Sequence, residues 1–161
     1  MTSDNVINLD EVRANVPRTV EWWDEWFLGM ASYISSASKD PSTQCGCVIV
    51  RPNKKPVSWG WNGFPQGIKD DERLKDREAK YSLMVHAEQN AILNAKDSLY
   101  GCVLYCYPFP PCDRCATSII QVGIKRVVGL QLPEDKKERW EDSVNKSLSY
   151  FREAGVSYNF Y

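Results

Sequence analysis

Histidine is almost missing from this chain: its 161 residues include one, His86. That argues against more than one histidine-bearing metal site. Net charge is nearly missing too, at −1 with 20 basic and 21 acidic residues. No global basic field therefore favours nucleic acid or an anionic membrane. An anionic ligand must be held by a few local Lys, Arg or backbone N–H groups. No apolar run approaches the ~20 residues that cross a bilayer, so no membrane association is expected. Internal repeats and low-complexity segments are absent. The stretch Met1–Val16 is polar, with Asp4, Asp10 and Glu11 where a secretory signal would be apolar. It reads as a loosely held arm ahead of a single domain over residues 17–161. Six cysteines in an intracellular-looking chain point to thiols and metal rather than a disulfide framework. The default compartment is the cytoplasm.

The hydrophobic spacing then sets out the elements. Pro17 opens a helical pattern with Val20, Trp23, Phe27, Met30, Ala31 and Ile34 near one face, ending before Asp40-Pro41. Gln44–Val50 reads as a strand, Arg51–Pro56 as a turn and Val57–Trp61 as the return strand. A glycine-rich loop, Asn62–Gly67, follows. Lys69–Lys80 carries five basic and five acidic residues and reads as a solvated loop or short exposed helix. Val85–Ala95 is helical, Cys102–Tyr107 a strand, and Cys112–Val122 a helix stopped by Gly123. Ile124–Leu130 is a strand, Lys136–Ala154 a helix capped by Gly155, and Val156–Tyr161 a terminal strand. A hairpin followed by β-α-β crossovers favours parallel pairing and right-handed connections. The expected fold class is α/β: a three-layer α/β/α domain around a five-stranded mixed sheet.

Chemistry concentrates in His86-Ala87-Glu88 and Pro111-Cys112-Asp113-Arg114-Cys115. One imidazole and two thiols make three zinc ligands, and one coordination position is left for water. Cys112 and Cys115 are spaced i, i+3, so a helix beginning near Cys112 turns both sulfurs the same way. Its first turn favours thiolate. Half of a structural zinc knuckle and a redox dithiol are rival readings of Cys-x-x-Cys. Cys45, Cys47, Cys102 and Cys106 read as buried thiols acting as small hydrophobes. Glu88 is close enough to a metal at His86 to act on bound water without ligating. H-x-E followed by P-C-x-x-C is the signature of zinc-dependent nucleobase deaminases. The expected reaction is attack on carbon 4 of cytosine by a zinc-activated hydroxide. Glu88 would protonate ring nitrogen 3 and then the leaving amine. Pro110-Pro111 presents carbonyls only, and one could accept from the exocyclic amine.

With these residues in view, the chain resembles the deoxycytidylate deaminases of the zinc-dependent cytidine deaminase superfamily, from about Phe27 onward. The resemblance is carried by Ser38-Lys39-Asp40-Pro41-Ser42-Thr43-Gln44, Gly60-Trp61-Asn62-Gly63-Phe64-Pro65, His86–Ile92 and Pro111–Cys115. It implies a cytidine-deaminase-like fold, dCMP as substrate and dUMP as product. It implies that Asn62 reaches the sugar hydroxyl and that the Ala87 N–H holds the pyrimidine carbonyl. Lys39 and Ser42 are candidates for the phosphate; Tyr107, Phe109 and Trp140 are candidates to stack on the base. Gly60, Trp61, Asn62 and Gly63 would lie at a regulatory site where dCTP activates and dTTP inhibits, with Mg2+. The family assembles as homo-oligomers, commonly hexamers. With one histidine, a single zinc is expected here. The alternatives are a tRNA or single-stranded DNA base deaminase, which needs a basic channel, and a non-enzymatic zinc-stabilised binding module, in which Glu88 would have no task.

Overall fold

The computed structural model describes residues 17–161, and the expected arm over residues 1–16 lies outside them. The centre of the molecule is β1 (Gly46–Val50), whose five residues are all buried. Both faces of this strand must therefore be covered, and its alternation divides the core. Val48 and Val50 pack with Phe27, Leu28 and Ala31 of α1 (Val20–Ser35) on one face. Cys47 and Ile49 pack with Ala91 and Ile119 on the other. Those two residues belong to α3 (Ala87–Asn94) and α4 (Asp113–Gln121).

The sheet order is β2-β1-β3-β4-β5, with β2 at Pro56–Trp61, β3 at Val103–Tyr107, β4 at Arg126–Gly129 and β5 at Ser157–Phe160. β1 is antiparallel to both β2 and β3, while β3–β4 and β4–β5 are parallel. The crossovers run through α4 and α5 (Glu134–Ala154). Phe151 of α5 joins the core on the α3 and α4 side. The three-layer α/β/α arrangement and mixed five-stranded sheet match the sequence expectation.

The differences have local causes. α1 starts at Val20 rather than Pro17, because the Trp22 N–H donates to Thr19 Oγ1 at 3.2 Å and makes Thr19 the cap. α3 starts at Ala87 rather than Val85, because Val85 is held in a two-residue bridge to Gly63. The charged stretch before it takes the second of its two expected forms, a short exposed helix. After a 3-10 turn at Glu72–Leu74 it forms α2 (Arg77–Leu83), capped by Asp76, whose side chain accepts from the Ala79 N–H. Gly155 ends α5 in the left-handed conformation, at φ 70°.

Two constraints tie the layers together. Gly60 on β2 meets α3 so closely that a Cβ there would lie 2.5 Å from the Ala91 nitrogen and 2.7 Å from the Ala87 oxygen. Ser58 Oγ donates to the Ala91 carbonyl at 2.5 Å, and the Asn90 and Asn94 amides donate to the Trp61 and Trp59 carbonyls. On the other face, Asp24 of α1 is fully buried. Its carboxylate accepts two hydrogen bonds from the Arg126 guanidinium, at 2.8 and 2.5 Å, and one each from the Tyr105 and Tyr161 hydroxyls. Arg126 also donates to Asn159, so this cluster joins α1, β3, β4 and the end of the chain. Burial by itself would raise the Asp24 pKa. The Arg126 and tyrosine hydrogen bonds, with the guanidinium charge, outweigh it and hold the carboxyl below its ordinary value.

Gly60→Ala forces backbone apart rather than a pliable side chain. It should destabilise the fold by about 2 kcal/mol or more and lower the affinity of the chain for metal, read by thermal unfolding and a zinc-chelator competition. Asp24→Asn removes one partner of a buried ion pair and should cost about 3 kcal/mol at neutral pH. Because the folded pKa is depressed, that stabilisation is complete above the unfolded carboxylate value and fades as pH falls through the folded one. Urea unfolding should therefore show the gap between wild type and variant narrowing below about pH 4; a gap independent of pH would refute the assignment.

Candidate functional site

The site is assembled from the beginnings of two helices. His86 is the residue that caps α3, and the chain is pinned there by the Gly63–Val85 bridge on one side and the Gly60 contact on the other. Cys112 caps α4, accepting from the Cys115 N–H at 3.4 Å, so Cys115 lies one turn further on the same side. His86 Nδ1 lies 3.4 Å from Cys112 Sγ and 3.3 Å from Cys115 Sγ. Tetrahedral zinc at its usual bond lengths needs about 3.6 Å between a nitrogen and a sulfur ligand. The three donor atoms all fall within 4.8 Å of one another. Chemistry and spacing both fit a zinc ion held by these three residues.

Both helix N-termini aim positive dipole ends at the site, which favours anionic groups there. The Cys112 thiol is pulled down to about 4, first by the hydrogen bond from Cys115 and then by His86, against the effect of burial. Cys115 is pushed the other way, by sharing a proton with Cys112 and by burial. Metal binding displaces the proton that Cys115 keeps, because thiolate is the ligand form. Glu88 is buried, and one carboxylate oxygen lies 3.5 Å from Cys115 Sγ. Burial raises its pKa, and the facing His86 partly offsets this. A carboxyl that keeps a proton more readily than an exposed one suits an acid/base role.

His86 and Glu88 line a cavity together with Cys112, Ala87, Asn62 and Pro110. Its walls include Ser42, Tyr107, Phe109 and Trp140, so these residues named from the sequence do converge. Phe109 and Trp140 face one another with ring centroids 5.9 Å apart. The Ala87 N–H lies in the first turn of α3, where no intrahelical acceptor exists. The Asn62 amide is largely committed: its oxygen accepts from the Cys45 N–H at 2.8 Å and its nitrogen donates to the Thr43 carbonyl at 2.9 Å. Lys39 does not join the cavity. Its side chain is 69% exposed and pairs with Asp70 at 2.7 Å. Gly60, Trp61 and Gly63 also stay outside it, because Gly60 faces α3, Trp61 is half exposed and Gly63 pairs with Val85.

Cys47 and Cys106 stand opposite one another on β1 and β3, fully buried and with their thiols driven upward by burial. They fit the reading as small hydrophobes. Cys45 also borders the cavity, and burial raises its thiol too.

Sequence reasoning gave the charged helix α2 no place at the cavity, yet it lines one side of it. Asp40 is buried and accepts from the Ser42 N–H at 2.8 Å and from Lys80 Nζ at 3.0 Å. The Lys80 ammonium, on a side chain only 12% exposed, also donates to Ser42 Oγ at 2.9 Å. Arg77, Lys80, Tyr81 and Met84 all line the cavity, as does Arg139 from α5. The signal was their spacing of i, i+3, i+4 and i+7, which puts them on one face of α2; the surrounding charges masked it.

Comparisons with known proteins agree with this geometry. A family model described as "Cytidine and deoxycytidylate deaminase zinc-binding region" matches residues 21–131. An "Uncharacterized deaminase in luxG 3'region" of Aliivibrio fischeri is 45% identical over 134 residues, covering 83% of this chain and 90% of that protein. The deoxycytidylate deaminase of Mus musculus is 38% identical over 143 residues, covering 84% of this chain and 78% of its own. The crystal structure of dCMP deaminase from the cyanophage S-TIM5 in apo form aligns with a TM-score of 0.67 at 23% identity, over 86% of this chain and 96% of that one. At that identity the match speaks to the fold alone. With the family region spanning both helix starts that converge on His86, the chain belongs to the cytidine and deoxycytidylate deaminase family and is a zinc-dependent deaminase.

Proposed function

We propose that this protein hydrolyses dCMP to dUMP and ammonia. The observation that carries the reading is the buried Glu88 carboxylate held beside a three-ligand metal set in a cavity. A closed structural site uses four protein ligands, whereas three leave a position for chemistry. The relatives named deoxycytidylate deaminase support the choice of base and sugar.

Zinc, when bound, supplies an acidified water as the nucleophile. Glu88 would take one proton from the water that attacks carbon 4 and pass it to ring nitrogen 3, and would then carry the remaining hydroxyl proton to the amine, which departs as ammonia while the carbon–oxygen double bond of uracil forms. The Ala87 N–H, aimed from a helix start, holds the pyrimidine carbonyl. The Pro110 carbonyl receives the exocyclic amine. Asn62 Oδ1, with one lone pair beyond its bond to Cys45, receives a sugar hydroxyl. Tyr107, Phe109 and Trp140 flank the base, and the Phe109–Trp140 contact keeps that wall rigid.

Regulation by dCTP and dTTP, with Mg2+, is part of the same proposal, at the Trp61–Gly63 end of β2. The half-exposed Trp59 and Trp61 and the exposed Leu93 support assembly into a homo-oligomer such as a hexamer. Six free thiols support a reducing, cytoplasmic setting.

Glu88→Gln should retain zinc, measured by elemental analysis, and lose deamination by about 1,000-fold; activity near wild type would remove Glu88 from the mechanism. The substrate is tested by ammonia release from zinc-loaded protein given dCMP, dCTP, cytidine or a cytosine-bearing single-stranded oligonucleotide. dCMP should turn over fastest, and dTTP should slow it. Turnover of the oligonucleotide alone would overturn the proposal.

A further inference from the structure

The cavity that His86 and Cys112 line also holds two guanidinium groups that no carboxylate neutralises. Arg77 of α2 and Arg139 of α5 both line the cavity. Among the described residues, neither has a carboxylate within 4.0 Å, although eight other basic side chains do. Instead both converge on one aromatic side chain. Arg139 Nε donates to the Tyr81 hydroxyl at 3.0 Å, and its guanidinium carbon lies 5.2 Å from the centre of the Tyr81 ring. The Arg77 guanidinium lies 5.7 Å from the same ring centre. The back of Arg139 stacks on Trp140 at 5.0 Å, which fixes the plane of its fork.

Two like charges drawn to one ring repel each other, and the arrangement is satisfied when an anion sits between them. The other charged groups on the cavity wall leave that position unfilled. Asp40 is committed to Lys80 and to the Ser42 N–H. Glu88 is beside Cys115. Neither carboxylate is available to the two arginines. A guanidinium presents paired N–H donors in a planar fork that suits a phosphate better than a point-charge ammonium does.

We propose that Arg77, Arg139 and the Tyr81 hydroxyl form a clamp for the 5′-phosphate of a nucleoside monophosphate, and that this clamp is what makes the enzyme act on nucleotides rather than nucleosides. The proposal rests on the dCMP reading above and replaces the exposed Lys39 as the phosphate contact. α2 and α5 supply the two arms, and neither lies in the segments that carry the zinc ligands. The base goes to the metal end, and the phosphate stays at the mouth beside the arginines. The three groups act through binding, so they set KM and nucleotide preference rather than the chemical step.

The test is calorimetric titration of dUMP and of deoxyuridine into zinc-loaded wild type and into Arg77→Ala/Arg139→Ala. Both arginines are exposed, and retention of zinc and of the wild-type unfolding midpoint checks that the double variant is folded. Wild type should bind dUMP about 100-fold more tightly than deoxyuridine, and the variant should reduce that preference to below about 10-fold. The ratio of kcat/KM for dCMP over deoxycytidine should fall in parallel, mainly through KM. Arg139→Lys should recover only part of the preference, because an ammonium lacks the fork. A preference unchanged in the double variant, or no dUMP binding by wild type, would overturn the clamp. Tight dUMP binding without any dCMP turnover would leave the clamp standing and overturn the deamination reading.

Discussion

The chemistry of this molecule depends on how closely α3 can approach β2. His86 has no freedom to seek its partners, because it stands at the entrance of a helix pressed onto a strand. The contact exists because Gly60 carries no side chain where one would strike the α3 backbone. Ser58, Asn90 and Asn94 then lace strand and helix together through backbone carbonyls. The imidazole arrives 3.3–3.4 Å from two sulfurs that α4 presents on its own first turn. The resemblance placed Gly60 at a regulatory nucleotide site. Its packing against α3 accounts for the glycine without one, and leaves any such site to the exposed residues beside it.

A second lock holds the polar wall. Asp40 is buried and would be costly there without partners. It is satisfied by the Ser42 N–H and by a lysine forty residues later in the chain. That ion pair connects the Ser38–Gln44 loop to α2 and so fixes where Arg77 and Tyr81 stand. The Asp24–Arg126 cluster does a comparable task on the far face, joining α1 to the parallel half of the sheet. Each lock is a buried carboxylate with a cationic partner distant in sequence. Each orients an element that its apolar contacts alone would leave free to slide.

What was legible in the sequence follows from how local each signal is. The apolar run of β1, the Gly155 stop and the i, i+3 cysteines are short-range patterns, and the structure reproduces them. The His86, Cys112 and Cys115 cluster was legible because metal chemistry restricts residue type and spacing together. The Asp40–Lys80 and Asp24–Arg126 pairs were not, because an ion pair across forty or a hundred residues leaves no periodic trace. Asp24 lies in an apolar helix stripe, which is a mark of a buried charge, but nothing nearby names its partner. The place of α2 at the cavity was hidden for a different reason. Five acidic and five basic residues look solvated on average, and α2 does stay on the surface, while one of its faces, bearing Arg77, Lys80 and Tyr81, lines the cavity.

The same contrast bears on how the site divides its work. Residues that touch the reacting carbon and the leaving amine must be held within fractions of an ångström, and they sit on helix starts braced by the sheet. Groups that recognise the distant end of a substrate tolerate more variation, because a long guanidinium side chain can adjust to a phosphate that moves slightly. Those groups are therefore free to come from α2 and α5, outside the zinc motif. A family that shares the His-x-Glu and Cys-x-x-Cys geometry can change its substrate by changing these outer elements while the metal end stays fixed. On that view His86, Glu88, Cys112 and Cys115 would set the reaction, and residues such as Arg77 and Arg139, which carry no motif, would set the substrate.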